Sequence, residues 1–116
     1  MDYKFINTEY LDSVSGGDPD IIIELITMFK EQSSEIYYEM KKLLAEKNYN
    51  ILGQLAHKAK SSAAIMGMNS LADMLKIFEN QARVGEGSEL YESYLIRFKT
   101  ETDAAVKELE DLITNK

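Results

Sequence analysis

The apolar residues of this chain recur at the spacing of helices rather than of strands. In the first long stripe they lie three, four or seven positions apart, which places them on one face of a helix. No segment shows the convincing alternation of apolar and polar residues that is typical of a strand. The pattern therefore predicts an all-α protein. The apolar residues of the first stripe are Ile22, Ile26, Phe29, Ile36, Met40, Leu43 and Leu44.

Residues with known capping preferences mark the ends of the predicted helices. Asp18 can cap a helix whose first position is Pro19, and Gly67 is a typical helix stop. The sequence GEG at residues 85–87 predicts a further turn, and Ser88 can begin the last helix. The predicted helices cover residues 19–46, 49–66, 70–84 and 88–115, each bound being approximate.

The connections between these helices are short, which determines how they pack. Short connections make sequential helices antiparallel neighbours, so the sequence predicts an antiparallel up-down four-helix bundle over about residues 19–115. Tyr10, Leu11 and Val14 predict a short additional N-terminal helix at about residues 8–14, which would cover the core. A chain of 116 residues is suited to one domain, here residues 1–116.

Composition excludes several classes of function. The net charge of −7 repels a phosphate backbone, which argues against nucleic acid as a partner. With no cysteine and one histidine, we expect no metal site, and the chain lacks the glycine-rich motifs of nucleotide enzymes. The sequence has no apolar run long enough to cross a membrane and no signal peptide. We therefore expect a cytoplasmic protein without membrane insertion.

The single histidine, His57, lies in the segment LAHKAKSSAAIMGM. At about 100° per residue, the side of the helix opposite His57 carries the core residues, so the imidazole is expected to face outward. Residues on its own side are small or polar, which predicts that a flat partner surface docks there. The predicted core residues are Leu52, Leu55, Ala59, Ala63 and Met66. The residues on the side of His57 are Gly53, Gln54, Lys60, Ser61 and Ala64.

Each of these residues also has a simpler interpretation. A lone helical histidine is most often a surface residue without a task. Lys60, one turn further on, could hold the oxygens of a phosphoryl group on the imidazole, or it could be a solvated charge. Ser61 could add a hydroxyl donor, whereas Ser62 points towards the core. A hydrolase pair of histidine and serine is disfavoured, because the sequence offers no strand-turn-helix elbow and no evident carboxylate to orient the ring.

The same segment resembles the signature of the histidine-containing phosphotransfer (HPt) domains of multistep phosphorelays. That signature reads approximately A-H-x-L-K-G-S-(S/A)-x-x-x-G and lies on the second helix of a four-helix bundle. Ala59 stands where leucine is usual, and Ser61 stands where the family has a glycine that lets a partner approach. We expect docking to survive this change. The matching residues are Ala56, His57, Lys60, Ser62 and Gly67, of which the last two belong to the structural motif.

The resemblance implies a phosphocarrier rather than an ATP-using kinase. His57 would accept a phosphoryl group from the aspartyl phosphate of one receiver domain and pass it to the aspartate of another. Lys60 would balance the phosphate charge, and Gln54 and Ser61 would border the site. Because the receiver would supply the magnesium ion, no cofactor is expected on this chain. The partners would be receiver domains of response regulators or hybrid histidine kinases.

Receiver docking in the family uses an apolar patch around the histidine. Leu11, Ile22 and Ile65 are candidates for this patch, although the same residues could belong to the core. Two other functions stay open. One is a docking module that binds receivers but carries no phosphoryl group. The other is a structural bundle that oligomerises through tyrosines, whereas we expect a monomer. The tyrosines of that second alternative are Tyr37, Tyr38, Tyr91 and Tyr94.

Overall fold

A computed structural model describes residues 8–114 of the chain, and within these residues all regular secondary structure is helical. The all-α prediction is confirmed, and the helix ends lie close to the predicted positions. None of the helices in this range combines the length and apolarity needed to cross a membrane. The helices are α1 at Thr8–Ser15, α2 at Pro19–Ala45, α3 at Tyr49–Ile65, α4 at Asn69–Val84 and α5 at Tyr91–Thr114, with a 3₁₀ turn at Ser88–Leu90 before α5.

Helix α2 begins at the predicted cap. The carboxylate of Asp18 accepts a hydrogen bond of 2.9 Å from the backbone N–H of Asp20, and Pro19 occupies the first turn, where its missing N–H has no consequence. The preceding Gly16 and Gly17 have φ angles of 64° and 78°, a region that glycine enters readily. These local preferences define the junction between α1 and α2.

A tight turn joins α3 to α4 and brings these two helices together. Gly67 has a φ angle of 74°, and the backbone N–H of Met68 donates a hydrogen bond of 2.9 Å to the carbonyl of Ala63. This is the arrangement of a glycine-terminated helix end, in which a left-handed residue reverses the chain. As a result, α4 returns along α3 and packs against it more extensively than any other pair of helices in the described range.

The longer helices, α2 to α5, share one core. Helix α3 contacts α4, α2 contacts α3, and α4 contacts α5, so sequential helices are neighbours as the short connections predict. Helix α2 also contacts α5. Helix α1 contacts α2, and Leu11 is buried. The side chains of Tyr10 and Val14, which were expected beside Leu11, lie outside the described part of the structure. The largest fully buried side chains include Met40, Leu52, Leu75, Phe78, Tyr91, Phe98 and Leu109.

Burial decides which of the ambiguous apolar residues belong to the core. Leu11 and Ile22 are 1% and 3% exposed, so of the two interpretations left open for them the core is the one that holds. Ile65 is 49% exposed and remains a candidate. The four tyrosines do not share one exposed face, because Tyr91 is fully buried while Tyr38 is mostly exposed.

Candidate functional site

Helix α3 presents His57 on its exposed face, as its periodicity predicts. The side chain of His57 is 54% exposed, and the residues predicted on the opposite side of the helix are all buried. The outward orientation of His57 and the predicted core side of this helix are therefore confirmed. The imidazole is accessible to a partner, while its own helix is anchored in the core. The buried residues are Leu52, Leu55, Ala59, Ala63 and Met66.

The imidazole contacts a carboxylate on the neighbouring helix. Nδ1 of His57 lies 3.0 Å from Oε1 of Glu79, which is on α4. Glu79 is only 8% exposed and occupies the face of α4 that packs into the protein. The sequence alone offered no evident carboxylate to orient His57. The close packing of α3 on α4 supplies one.

The environment of Glu79 keeps its carboxylate charged. Burial is the largest influence on the pKa of Glu79 and acts to raise it. Hydrogen bonds from His57 and Lys60, together with the charges of these residues, outweigh burial and hold the pKa below the ordinary value of 4.5. An ionised carboxylate can only accept hydrogen bonds, so Nδ1 of His57 must donate. In the neutral ring this tautomer leaves the lone pair on Nε2.

Two cationic side chains complete the site around Glu79. The Nζ atom of Lys60 lies 3.3 Å from Oε1, the same oxygen that His57 contacts. The Nη2 atom of Arg83 lies 3.0 Å from Oε2. The side chain of Lys60 is 27% exposed, so it is not the freely solvated charge of the simpler interpretation. His57, Lys60 and Arg83 thus all meet on one buried carboxylate.

Gly53 is not on the exposed surface, and the prediction that it borders an exposed docking face is wrong. It is buried where α3 crosses α4. A Cβ atom at this position would lie 3.0 Å from Cγ of Arg83 and 3.2 Å from the carbonyl oxygen of Glu79. Periodicity placed Gly53 on the side of His57, but the neighbouring helix covers that end of the face. The missing side chain accommodates α4.

The other predicted border residues are exposed on α3. Gln54 donates a hydrogen bond of 3.3 Å to the side chain of Asn50. The hydroxyl of Ser61 donates to the backbone carbonyl of His57 at 3.4 Å, so in this state it bonds its own helix. Ala64 is exposed, and its small side chain does not project from the surface beyond His57. These three residues keep the approach to the imidazole open.

An apolar groove lies between α2 and the last turn of α3. It encloses about 130 Å³. Met28 and Ile65 beside it are 54% and 49% exposed. Ser62 lines the groove and is half-buried, in agreement with its predicted orientation towards the core. We call this feature the α2–α3 groove. Its lining includes Leu25, Met28, Phe29, Ser62, Ile65 and Met66.

The sequence contained a signal for Glu79 that its helical pattern could have revealed. Leu75 and Ala82 lie four positions before and three positions after Glu79, and both are buried. A glutamate in such a core-facing row is unusual unless a partner compensates its charge. Among the described residues, no cluster of three or more histidine, cysteine or acidic side chains could hold a metal ion. The compensation comes from the neighbouring cations and the imidazole.

The comparison with protein families bears on this geometry. A family model with the description Hpt domain matches residues 24–115. No curated protein and no solved structure gave a match to the chain. The matched segment contains most of α2 and all of α3 and α4, so it includes His57, Lys60, Glu79 and Arg83.

Proposed function

This chain belongs to the Hpt domain family, whose members are phosphocarriers that interact with receiver domains in phosphorelays, and we propose that His57 is its phosphoryl acceptor. One observation carries this proposal: Nδ1 of an exposed imidazole lies 3.0 Å from a buried carboxylate. With the ring proton on Nδ1, the lone pair of Nε2 would be the nucleophile, on a side chain that is 54% exposed. His57 would receive the group from one receiver aspartate and return it to another.

The transfer step requires no proton from solvent. The lone pair of Nε2 attacks the phosphorus of an aspartyl phosphate, and the N–P bond forms as the P–O bond to the receiver aspartate breaks. The receiver recovers its carboxylate. The imidazole keeps its proton on Nδ1 and becomes positively charged, and this charge faces the carboxylate of Glu79. The carboxylate stabilises the ring as the aspartate of a serine protease triad stabilises its histidine.

Lys60 is suited to balance the charge of the phosphoryl group. It lies one helical turn from His57, and its ammonium group contacts Glu79 at 3.3 Å while no phosphoryl group is present. Rotation of its flexible side chain would bring the ammonium group to the phosphoryl oxygens. Gln54 and Ser61 would border the group on the exposed side. We place the magnesium ion on the receiver domain and propose no cofactor for this chain.

The receiver domain would dock over the exposed face of α3. The small side chain of Ala64 does not project from that face. The exposed apolar side chains of Ile65 and Met28 extend the face towards the α2–α3 groove. Small residues around a reactive group let a partner approach closely, and apolar side chains at the edge supply contact area. We propose that a monomer of this chain carries out the exchange in the cytoplasm.

Phosphoryl transfer from a panel of radiolabelled phospho-receivers tests the proposal. The wild-type protein should gain acid-labile, base-stable label, and the His57→Gln variant should gain none while still binding the same receiver. Binding without label on the wild type would instead favour the docking module that carries no phosphoryl group. A mass that rises with concentration in size-exclusion chromatography, without receiver binding, would favour the structural bundle.

A further inference from the structure

The second oxygen of Glu79 has a partner of its own. Oε1 receives both His57 and Lys60, whereas Oε2 lies 3.0 Å from Nη2 of Arg83, one turn further along α4. We propose that Arg83 is a positioning residue that acts on His57 through Glu79. It holds the carboxylate so that Oε1 faces Nδ1 of the imidazole. The consequence of this role for phosphoryl transfer rests on the function proposed above, but the effect on the ring does not.

The need for Arg83 follows from the two donors that meet on Oε1. When Lys60 turns towards a phosphoryl group, Glu79 loses one of the cations that keep its buried carboxylate charged. Arg83 then remains as a cationic partner of Glu79, beside the imidazole that becomes charged when it carries the phosphoryl group. A guanidinium is always charged and rigidly planar, so as the ion-pair partner of Oε2 it favours the carboxylate orientation in which Oε1 faces Nδ1 of His57.

Gly53 supplies the space that this arrangement requires. A Cβ atom on Gly53 would lie 3.0 Å from Cγ of Arg83 and 3.2 Å from the backbone nitrogen of Arg83. It would also lie 3.2 Å from the backbone oxygen of Glu79. These distances are shorter than ordinary contacts between carbon and its neighbours. A side chain at Gly53 would therefore displace the stem of Arg83 and push the backbone of α4 away from His57.

NMR of the ¹⁵N-labelled imidazole tests the positioning role directly, at an alkaline pH where an ordinary imidazole is neutral. The wild type should show the proton on Nδ1. Arg83→Gln should shift the ring towards a mixture of tautomers and slow phosphoryl acceptance about two- to fivefold, the range expected from a partly exposed ion pair. Arg83→Lys, which retains the charge, should restore much of both. The control variant Lys107→Gln also removes one positive charge, on α5, and should change neither the tautomer of His57 nor the rate of phosphoryl acceptance.

Gly53→Ala provides an independent variant that leaves Arg83 in the sequence. Alanine favours helix formation, so a loss of the Nδ1 proton signal in this variant would not reflect a weaker helix. In combination with Arg83→Gln, Gly53→Ala should add less than it does alone, because the guanidinium that the new methyl group would displace from Glu79 is then already absent. Thermal unfolding of each variant identifies any change that results from loss of the fold.

The outcomes separate this proposal from the proposed function. Wild-type tautomer signals in both Arg83→Gln and Gly53→Ala would overturn the positioning role, even if transfer slowed, because Arg83 would then act on the partner directly. If no receiver phosphorylates the wild type but the ring proton still depends on Arg83, the proposed function fails and the positioning role stands.

Discussion

Replacing Glu79 by glutamine tests whether the carboxylate stabilises the charged imidazole. Glutamine retains an oxygen that can accept the hydrogen bond from Nδ1, but it removes the negative charge. The two atoms lie 3.0 Å apart, at which unit charges interact by about 5.5 kcal/mol at an effective dielectric constant of about 20 and about 1.4 kcal/mol at that of water. The side chain of His57 is 54% exposed, so solvent screens the interaction and its energy is close to about 1.4 kcal/mol.

We therefore expect Glu79→Gln to slow phosphoryl acceptance by about tenfold, because 1.36 kcal/mol in an activation free energy corresponds to that factor. The assay is a single-turnover transfer from a phosphorylated receiver, with receiver concentration varied to separate docking from the chemical step. Docking should be unchanged, and the loss should fall on the rate constant at saturation. Glu39→Gln, an exposed residue of α2, removes the same charge and serves as the control.

A wild-type rate at saturation in Glu79→Gln would refute this reasoning, provided that its thermal unfolding shows a retained fold. The hydrogen bond alone would then account for the orientation of the ring. A loss confined to docking would contradict it as well, since Glu79 is only 8% exposed and offers little surface to a partner.

Three further predictions concern acid stability, the core and docking. Because the pKa of folded Glu79 is lowered below 4.5, its charge stabilises the fold above that pH, and this contribution is lost as pH falls through the folded pKa. In urea denaturation, the unfolding free energy of the wild type should therefore fall relative to that of Glu79→Gln as the pH is lowered from about 7 to about 3. A difference that stays constant with pH would contradict this prediction. Tyr91 is fully buried and its hydroxyl donates a hydrogen bond to a backbone carbonyl. Tyr91→Phe should therefore lower the unfolding free energy by about 1 kcal/mol in urea denaturation. An unchanged value would show that this hydrogen bond makes no net contribution to stability. Ala64→Arg should weaken receiver binding in calorimetry while changing the unfolding free energy by less than about 0.5 kcal/mol. The control variant Ala45→Arg, at another exposed alanine, should leave receiver binding intact. Equal effects of the two variants on binding would argue against docking at Ala64.

The helices could be predicted from the sequence because each depends on local preferences. Asp18 and Pro19 define the start of α2, and Gly67 ends the α3 segment through a backbone conformation that other residues rarely adopt. The core side of α3 also follows from its own periodicity. Exposure at the helix edges does not, because it depends on which helix lies alongside. Leu11 and Ile22 were therefore ambiguous in the sequence, and only packing places them in the core.

The candidate site was predicted only in part, because half of it comes from a second helix. His57 and Lys60 share one helix, and their spacing is local information. Glu79 is 22 residues further on, and its contact with His57 depends on the register and rotation of α4 against α3. The two residues lie at similar distances along the chain from Gly67, so an antiparallel hairpin brings them to the same level. Sequence periodicity alone does not determine that they face each other.

Gly53 shows why the absence of a side chain is ambiguous evidence. Small residues around His57 predicted that something approaches α3 closely, and at Ala64 that surface is open. At Gly53 the approach is real, but α4 of the same chain makes it, with Arg83 at 3.0 Å from the expected Cβ position. A small residue on a helix face indicates close contact in both cases. Whether the contact is within the molecule or with a partner depends on the fold.

The charges around His57 explain how an acidic protein can be suited to a phosphoryl group. The chain as a whole has a net charge of −7, which opposes the approach of an anion. Around the imidazole, however, Lys60 and Arg83 contribute two positive charges and Glu79 one negative charge, so this cluster is positive by one unit. Burial of Glu79 and partial exposure of both cations place the positive charge on the outer side. In the proposed transfer, the site would therefore stabilise the imidazolium through Glu79 and the phosphoryl oxygens through Lys60 at the same time.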